Sequence, residues 1–448
     1  MKDGTAEMYK AGVRTKRPFV SPEQLFELAD RFPTPFYLYD EAGMRSRAQA
    51  LQEAFGWNEG FKEYFAVKAL PNPAIISLLA ETGCGCDCAN EVELALAEAC
   101  GVTGDDIVLS SNDTRDADFA AAAKAGALIN LDALELVNDC ERALEGRLPE
   151  EMMLRINPGG VFGSAGAAHF IGEPGNSKFG MTEDQAVKAA QQLTEHGVRK
   201  IDVHALLASN AQGQGYYPAL ARLLFSTAMR IHEETGAAVS RVDLSGGVGI
   251  AYDPRASSPD IREIGQGVHQ AFEEILVPAG LGGVRLMCEL GRWVTGPCGV
   301  LVTRVLHEKR TYRDYLGVDA CAANLMRPAI YGAYHHITAM GQPGREHVWN
   351  SPATRRYSVV GGLCENSDQF ASDRMLPEVK VGDLLLIQDA GAHGHAMGYN
   401  YNGRLRSAEV LLHADGSCEL IRRAETAADY FATLDVTRWW PRLKPQLP

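Results

Sequence analysis

Eight short apolar runs, separated by stretches rich in Ala, Leu and Glu, constrain this chain more than any other feature. They are Tyr64–Lys68, Cys84–Cys88, Ile107–Ser110, Leu128–Asp132, Met152–Asn157, Ile201–Ala208, Arg241–Ser245 and Arg285–Glu289. Between the early runs, Glu91–Cys100, Asp116–Ala125 and Ala133–Leu144 have helical composition. Alternating strand and helix requires parallel strands joined by crossovers. Eight is the strand count of a (β/α)8 barrel, whose functional residues lie at the strand C-terminal ends. The expected class is therefore α/β, with a TIM-like barrel over residues 45–296. After Pro297 the character changes. Gly/Pro punctuation and the runs Tyr357–Val360 and Asp383–Gln388 predict an antiparallel β domain over 297–448. Residues 1–44 are assigned to that domain as well, since Phe36-Tyr37-Leu38-Tyr39 reads as one of its strands. Residues 1–17 are expected to be loosely ordered.

The barrel rule predicts which polar groups meet. Lys68, Asp87, Asp132, Asn157, Ser209, the cluster Gly246-Gly247-Val248-Gly249, and Glu289 end the strands and converge on one mouth. Lys68 closes an apolar run, where an ammonium is costly unless its pKa falls or it is covalently tied up. A desolvated lysine is also the side chain that forms Schiff bases with carbonyl compounds such as pyridoxal phosphate. The alternative for Lys68 is a lysine that reaches past the strand end to solvent. Three glycines closing a strand let backbone amides turn toward an anion, or simply make a tight turn. Glu289 has the chemistry to hold a protonated pyridine nitrogen, and Arg292 to clamp a phosphate or carboxylate; a structural ion pair between them is the competing reading. Arg327 and Tyr331 suit a substrate carboxylate. Cys364, beside Glu365 and Asp368, is not activated as a thiolate, because negative neighbours raise a thiol's pKa; a protonated thiol suits proton donation.

Several classes are excluded or disfavoured. With 43 basic against 57 acidic residues and a net charge of −14, nucleic acid and anionic membranes are not expected partners. No apolar run approaches the roughly 20 residues of a membrane span, and the polar start lacks the core of a secretion signal, so a cytoplasmic location is expected. The 10 cysteines have no compact framework and read as cytosolic thiols. Cys84, Cys86 and Cys88 are read as small buried side chains, and His393 with His395 has no third ligand in view, so no metal is expected.

Taken together, the motifs resemble the fold-type III pyridoxal phosphate-dependent amino-acid decarboxylases, most closely the diaminopimelate decarboxylases. The resemblance runs from about Phe36 to Val410. It rests on Tyr64–Asn72, Asp87–Leu94, Arg155–Pro158, Ser177–Gly180, Gly246–Gly249, Glu289–Arg292, Arg327–Tyr331, Cys364–Asp368 and Asp389–Asn402. It implies pyridoxal 5′-phosphate on Lys68, in a site that includes Asp87, Leu206 and Gly291. Gly246, Gly247, Gly249 and Ser209 would cradle the phosphate, and Glu289 would pair with the ring nitrogen. Arg292, Arg327 and Tyr331 would meet acidic groups of the ligand or cofactor. It further implies a homodimer with shared sites, in which the second subunit supplies Cys364 as proton donor and Glu365 to read the distal amine.

The pattern departs from the family in specific places. Leu206 stands where a histidine usually stacks on the cofactor ring, with His204 two residues earlier on the same strand face. Ser245 replaces the first of three glycines. His393 occupies the place of a phosphate-binding tyrosine, Leu290 replaces a proline, and 335–356 is longer than usual. The expectation is a divergent decarboxylase of a diaminopimelate-like or related basic amino acid. Two alternatives stay open: a racemase or epimerase on the same cofactor, because Leu206 alters one ring face, and a regulator that keeps the fold without the cofactor.

Overall fold

The computed structural model describes residues 16–160 and 174–434. It divides into two compact units. One comprises Gly43–Ala251 and Ser257–Val294; the other comprises 16–42, Tyr252–Ala256 and 295–434. Most of the stretch expected to be loose lies outside the described residues.

The first strand in the chain, β1 (Phe36–Asp40), belongs to the second unit. The next eight are β2 (Lys62–Ala66), β3 (Gly85–Cys88), β4 (Ile107–Ser111), β5 (Leu128–Leu131), β6 (Glu151–Arg155), β7 (Lys200–His204), β8 (Arg241–Asp243) and β9 (Arg285–Cys288). They pair in sequence order, all parallel, and β9 returns to β2 to close the barrel. Side chains alternate across each strand, so one parity fills the barrel interior. Tyr64, Val108, Leu128, Met153 and Met287 do so as one buried cluster. Two residues further along, the same parity carries Ala66, Ser110, Asn130, Arg155 and Glu289. The alternation that builds the core therefore also delivers polar groups to its C-terminal end.

Most predicted runs are longer than the strands they contain. The run Ile201–Ala208, for example, stops as a strand at His204. Beyond that point the backbone turns sideways into the mouth loops, where Ala211 N–H donates to Gly247 O and Gly249 N–H donates to Ala211 O, both at 2.8 Å.

The second unit holds a nine-stranded sheet. Strand β1 lies between β10 (Gly299–Arg310) and β16 (Ala408–Leu412), antiparallel to the first and parallel to the second. A strand arriving from before the barrel is not joined to β16 by a hairpin, so nothing forces antiparallel pairing there. The sheet is mostly antiparallel, with β11 (Asp314–Val318) and β13 (Arg355–Val360) the other parallel pair. Phe36 and Leu38, Val300 and Val302, Leu384 and Leu386, and Val410 and Leu412 alternate onto one buried face, covered by Leu25 and Leu28. The covering helix, Pro22–Arg31, starts on Ser21, whose hydroxyl accepts from Gln24 N–H, with proline at its first position.

One glycine tests the packing of the barrel's outer layer. Gly265, in the helix Ile261–Ile275, sits so close to the helix Glu41–Phe55 that a β-carbon would lie 2.3 Å from Ala54 O. Alanine gains about 1 kcal/mol of helix propensity, but overpacking against backbone costs about 1–3 kcal/mol. Gly265→Ala is expected to lower the denaturant midpoint by an equivalent of up to about 2 kcal/mol. A midpoint at or above the wild-type value would show that the two helices move apart freely.

Candidate active site

Lys68 lies just past β2, in the 3-10 turn Val67–Ala69. Its neighbour is set by register: Ala66 pairs with Asp87 on β3. Lys68 Nζ donates to Asp87 Oδ2 at 2.5 Å. The lysine side chain is 45% exposed and the carboxylate fully buried. Partial enclosure alone would lower the lysine's pKa, but Asp87 and Glu289 outweigh it and hold the amine above its usual range. The sequence suggested an ammonium among apolar neighbours; the structure instead surrounds it with carboxylates and keeps it charged. Burial and the Glu289 charge push Asp87 well above the usual carboxylate range, against the pull of Lys68.

Register also aligns Arg155, His204, Asp243 and Met287 across β6 to β9. Glu289 follows two residues after Met287. Ser245 Oγ donates to Glu289 Oε2 at 2.6 Å, and His204 Nε2 stands 3.6 Å from the same oxygen. Glu289 Oε1 is buried without a hydrogen bond. Burial would raise the Glu289 carboxyl, yet His204, Lys68 and Ser245 bring it below its usual range. Burial lowers His204's own pKa more than Glu289 raises it, so the imidazole is neutral at pH 7. Its help to Glu289 is therefore dipolar, and Lys68 and the Ser245 hydroxyl carry the ionic and hydrogen-bonding support. Asp243 is pushed well up by burial and by Glu289. Glu63, which accepts from Leu290 N–H at 2.7 Å, is raised to about 8, mainly by burial. Four buried carboxyls thus separate into one held ionised and three driven toward their neutral forms. Such separation assigns distinct roles to like groups.

His204, Asp243 and Glu289 present ligand atoms within 4.8 Å of one another, the one such grouping among the described residues. With Asp243 driven toward its neutral form and Ser245 bonded to Glu289, this grouping reads as a hydrogen-bonding cluster.

The glycine loop packs beside it. A β-carbon on Gly247, whose φ is +111°, would lie 2.9 Å from Ala208 O, and one on Gly249 would lie 2.6 Å from Ala211 O. Leu206 is half-buried and faces Gly246. Ser209 accepts a 3.4 Å hydrogen bond from Arg292 Nη2. Gly291 is required because a β-carbon there would lie 2.8 Å from Ala69 Cβ, beside the lysine turn. Two tyrosines absent from the sequence reading brace these loops. Tyr216 Oη accepts from Leu207 and Ala208 N–H at 3.2 and 3.1 Å, and Tyr217 Oη donates to Ser245 O. Because β7 ends at His204, strand alternation does not extend to Leu206, and His204 meets Glu289 instead. Asp132 and Arg155 pair at 3.3 Å, and Gly180 N–H donates to Asp132, which joins two separated motifs.

The remaining candidates lie in the second unit. Arg327 and Tyr331 share the short helix Arg327–Tyr331, Arg327 buried and Tyr331 exposed. Arg327 Nε donates to His335 Nε2 at 3.4 Å, and its guanidinium lies 5.2 Å from the Tyr252 ring centroid. Cys364 and Glu365 are exposed in the loop after β13. Cys364 N–H donates to Asn402 Oδ1 at 2.7 Å. Asp368 pins that loop, accepting from Ala322 and Leu363 N–H at 2.7 and 2.8 Å. His393 is half-buried in a turn at φ +54°.

Residues 41–296, more than half of the chain, match the pyridoxal-dependent decarboxylase family in its pyridoxal-binding domain. The chain belongs to that family. It is 38% identical to Protein TabA of Pseudomonas amygdali pv. tabaci, over 93% of this chain and 94% of that one. It is 35% identical to the diaminopimelate decarboxylase of Methanothermobacter thermautotrophicus, covering 90% and 92%. The crystal structure of the Methanocaldococcus jannaschii diaminopimelate decarboxylase superposes with a TM-score of 0.81 at 30% identity, covering 91% and 93%. This pyridoxal-dependent decarboxylase is accordingly an amino-acid carboxy-lyase with pyridoxal 5′-phosphate as cofactor. Among its described residues no helix is long and apolar enough to cross a membrane. Asp243 and His204 were legible in principle: each has the inward parity of its strand and sits at the strand's last position.

Proposed function

We propose that this decarboxylase removes CO2 from a diaminopimelate-like or related basic amino acid, with Lys68 as the cofactor-linking amine and Cys364 as the proton donor to Cα. The observation that carries the reading is that Lys68, just past β2, and the buried Glu289, just past β9, lie at the same end of the barrel. The residues fit the cofactor. Glu289 has an unused buried oxygen suited to a ring N–H, the Gly246–Gly249 backbone suits a phosphate, and Lys68 is partly exposed. Bound pyridoxal phosphate supplies an aldehyde that links to amines and a ring that accepts the electron pair left by departing CO2. The chain's share is to hold charge and orientation. Glu289 keeps the ring nitrogen protonated, Leu206 covers a ring face and excludes water, and Arg292 with Ser209 binds anionic oxygens. Arg327 and Tyr331 receive a substrate carboxylate, and Glu365 receives the distal amine. In this reading the enzyme is a homodimer whose second subunit supplies Cys364 and Glu365. The exposure of both residues supports it.

The test is CO2 release from a panel of diamino diacids and basic amino acids, with product masses read in deuterated water. Release is expected from meso-diaminopimelate or a near analogue, with one deuterium retained at Cα. Exchange at Cα without CO2 would replace this reading with an epimerase. If meso-diaminopimelate reacts at the rate usual for the family, Leu206, Ser245 and His393 have no bearing on substrate choice.

A further inference from the structure

Ser245 stands in the left-handed region, with φ +52°, and is fully buried. A β-carbon is disfavoured in that conformation, and glycine would sit there without strain. The backbone is nevertheless fixed from three sides. Ser245 N–H donates to Asp243 Oδ1 at 2.7 Å, and Ser245 O accepts from Glu289 N–H at 2.7 Å and from the Tyr217 hydroxyl. The hydroxyl points to Glu289 Oε2, 2.6 Å away. No glycine could supply that bond. We propose that Ser245 is a positioning residue, whose hydroxyl fixes one oxygen of Glu289 and so turns the other, Oε1, toward the cofactor ring nitrogen. The inference rests on Glu289 being the partner of that nitrogen.

Other groups act on Glu289 from neighbouring strands, Asp243 among them through a side-chain hydrogen bond. His204 on β7 is 3.6 Å away, beyond hydrogen-bonding range, and both its ring nitrogens are buried without a hydrogen bond. Asp243 on β8 is engaged through Oδ1 with Ser245 N–H. Asp87 on β3, Glu63 on β2, Lys68 after β2 and Arg155 on β6 act on Glu289 through charge. The Ser245 hydroxyl is thus a direct hydrogen-bond donor to Glu289 Oε2, alongside the side-chain hydrogen bond that a protonated Asp243 shares with Glu289. A charge-assisted O–H···O bond of this kind is short and strong, and burial makes its loss expensive.

Two variants separate positioning from packing. Ser245→Ala keeps the β-carbon and its strain but removes the donor; Ser245→Gly removes both. The deciding readout is the pH at which the ring nitrogen of bound 15N-labelled pyridoxal phosphate loses its proton, followed by NMR on the holoprotein. Both variants are expected to lower that midpoint by about one pH unit. Cofactor-stripped protein titrated with pyridoxal phosphate is expected to bind roughly tenfold more weakly in both. Ser245→Gly should unfold at a higher temperature than Ser245→Ala, because the strain is gone. A wild-type midpoint in Ser245→Ala overturns the proposal. Glu289→Gln, measured alongside, distinguishes the reason. If it shifts the midpoint and Ser245→Ala does not, Ser245 only fills space. If neither shifts it, the role given to Glu289 falls, and the proposal falls with it.

Discussion

Lys68→Ala is expected to lose the visible absorption of bound cofactor and to cut CO2 release by at least about a thousandfold. The chain should still fold, because the lysine side chain is 45% exposed. What the substitution removes is the partner of Asp87, a carboxyl with no solvent exposure. Removing one member of a buried pair usually costs about 3–5 kcal/mol, since a bare charge is left behind. Asp87 evades most of that cost by taking up a proton, because burial and Glu289 already push its pKa up and Lys68 alone opposes them. The sign of the pH effect follows. A carboxyl whose folded-state pKa lies above its unfolded value of about 3.9 holds a proton that the unfolded chain has released, so stability falls as pH rises through that interval. Without Lys68 the interval extends further upward. Thermal unfolding of Lys68→Ala should therefore match wild type near pH 5 and fall below it progressively above neutrality. Adding Asp87→Asn should restore stability at high pH without restoring CO2 release. A Lys68→Ala protein that retains the absorption band and turns over would remove Lys68 from the site.

The barrel was legible because its signal is redundant. Eight apolar runs, each beside a helical stretch, admit few topologies, and the strand-end rule then gathers Lys68, Asp87 and Glu289 without any coordinates. The strand ends were less legible. Apolar character continues through Ala205-Leu206-Leu207-Ala208, yet these residues leave the sheet, and Tyr216, from the following helix, binds the amides of Leu207 and Ala208. A tyrosine nine residues downstream of Leu207 carries no local mark of that task. The surroundings of Lys68 were hidden for a related reason. Its sequence neighbours are apolar, but its spatial neighbour Asp87 comes from the next strand, at a register visible only after folding. Ser245 was visible as a departure from a glycine pattern. Its consequence, a hydroxyl on Glu289, depends on β8 and β9 lying side by side. Within the stretch expected as barrel, 45–296, Tyr252–Ala256 belongs to the second unit. Tyr252 packs there against His335 at 4.9 Å between ring centroids.

Glu289→Gln should lower CO2 release by at least about a hundredfold while leaving the fold and the covalent attachment at Lys68 in place. The amide has the shape of the carboxylate, and its oxygen still accepts from Ser245 Oγ, so the packing at this buried position survives. The charge does not survive. Glu289 is the one carboxyl of its cluster held ionised, while burial and mutual repulsion drive Glu63, Asp87 and Asp243 upward. None of these three can take over as an anion in the variant without meeting the same burial penalty. A ring nitrogen facing a neutral amide loses its reason to stay protonated, and the ring becomes a weaker acceptor for the electron pair that CO2 leaves behind. A second consequence separates this account from a general disturbance of the site. The Glu289 charge contributes to raising Asp87 and Lys68 together. Its removal should bring Asp87 down toward ordinary carboxylate values, so the folded chain gives up that proton at a lower pH. The loss of stability with rising pH, from about 4 up to the Asp87 folded-state value in wild type, should therefore be shallower in Glu289→Gln. Turnover within a factor of about three of wild type, with an unchanged pH dependence of unfolding, would mean that the ring nitrogen is governed from elsewhere in the mouth.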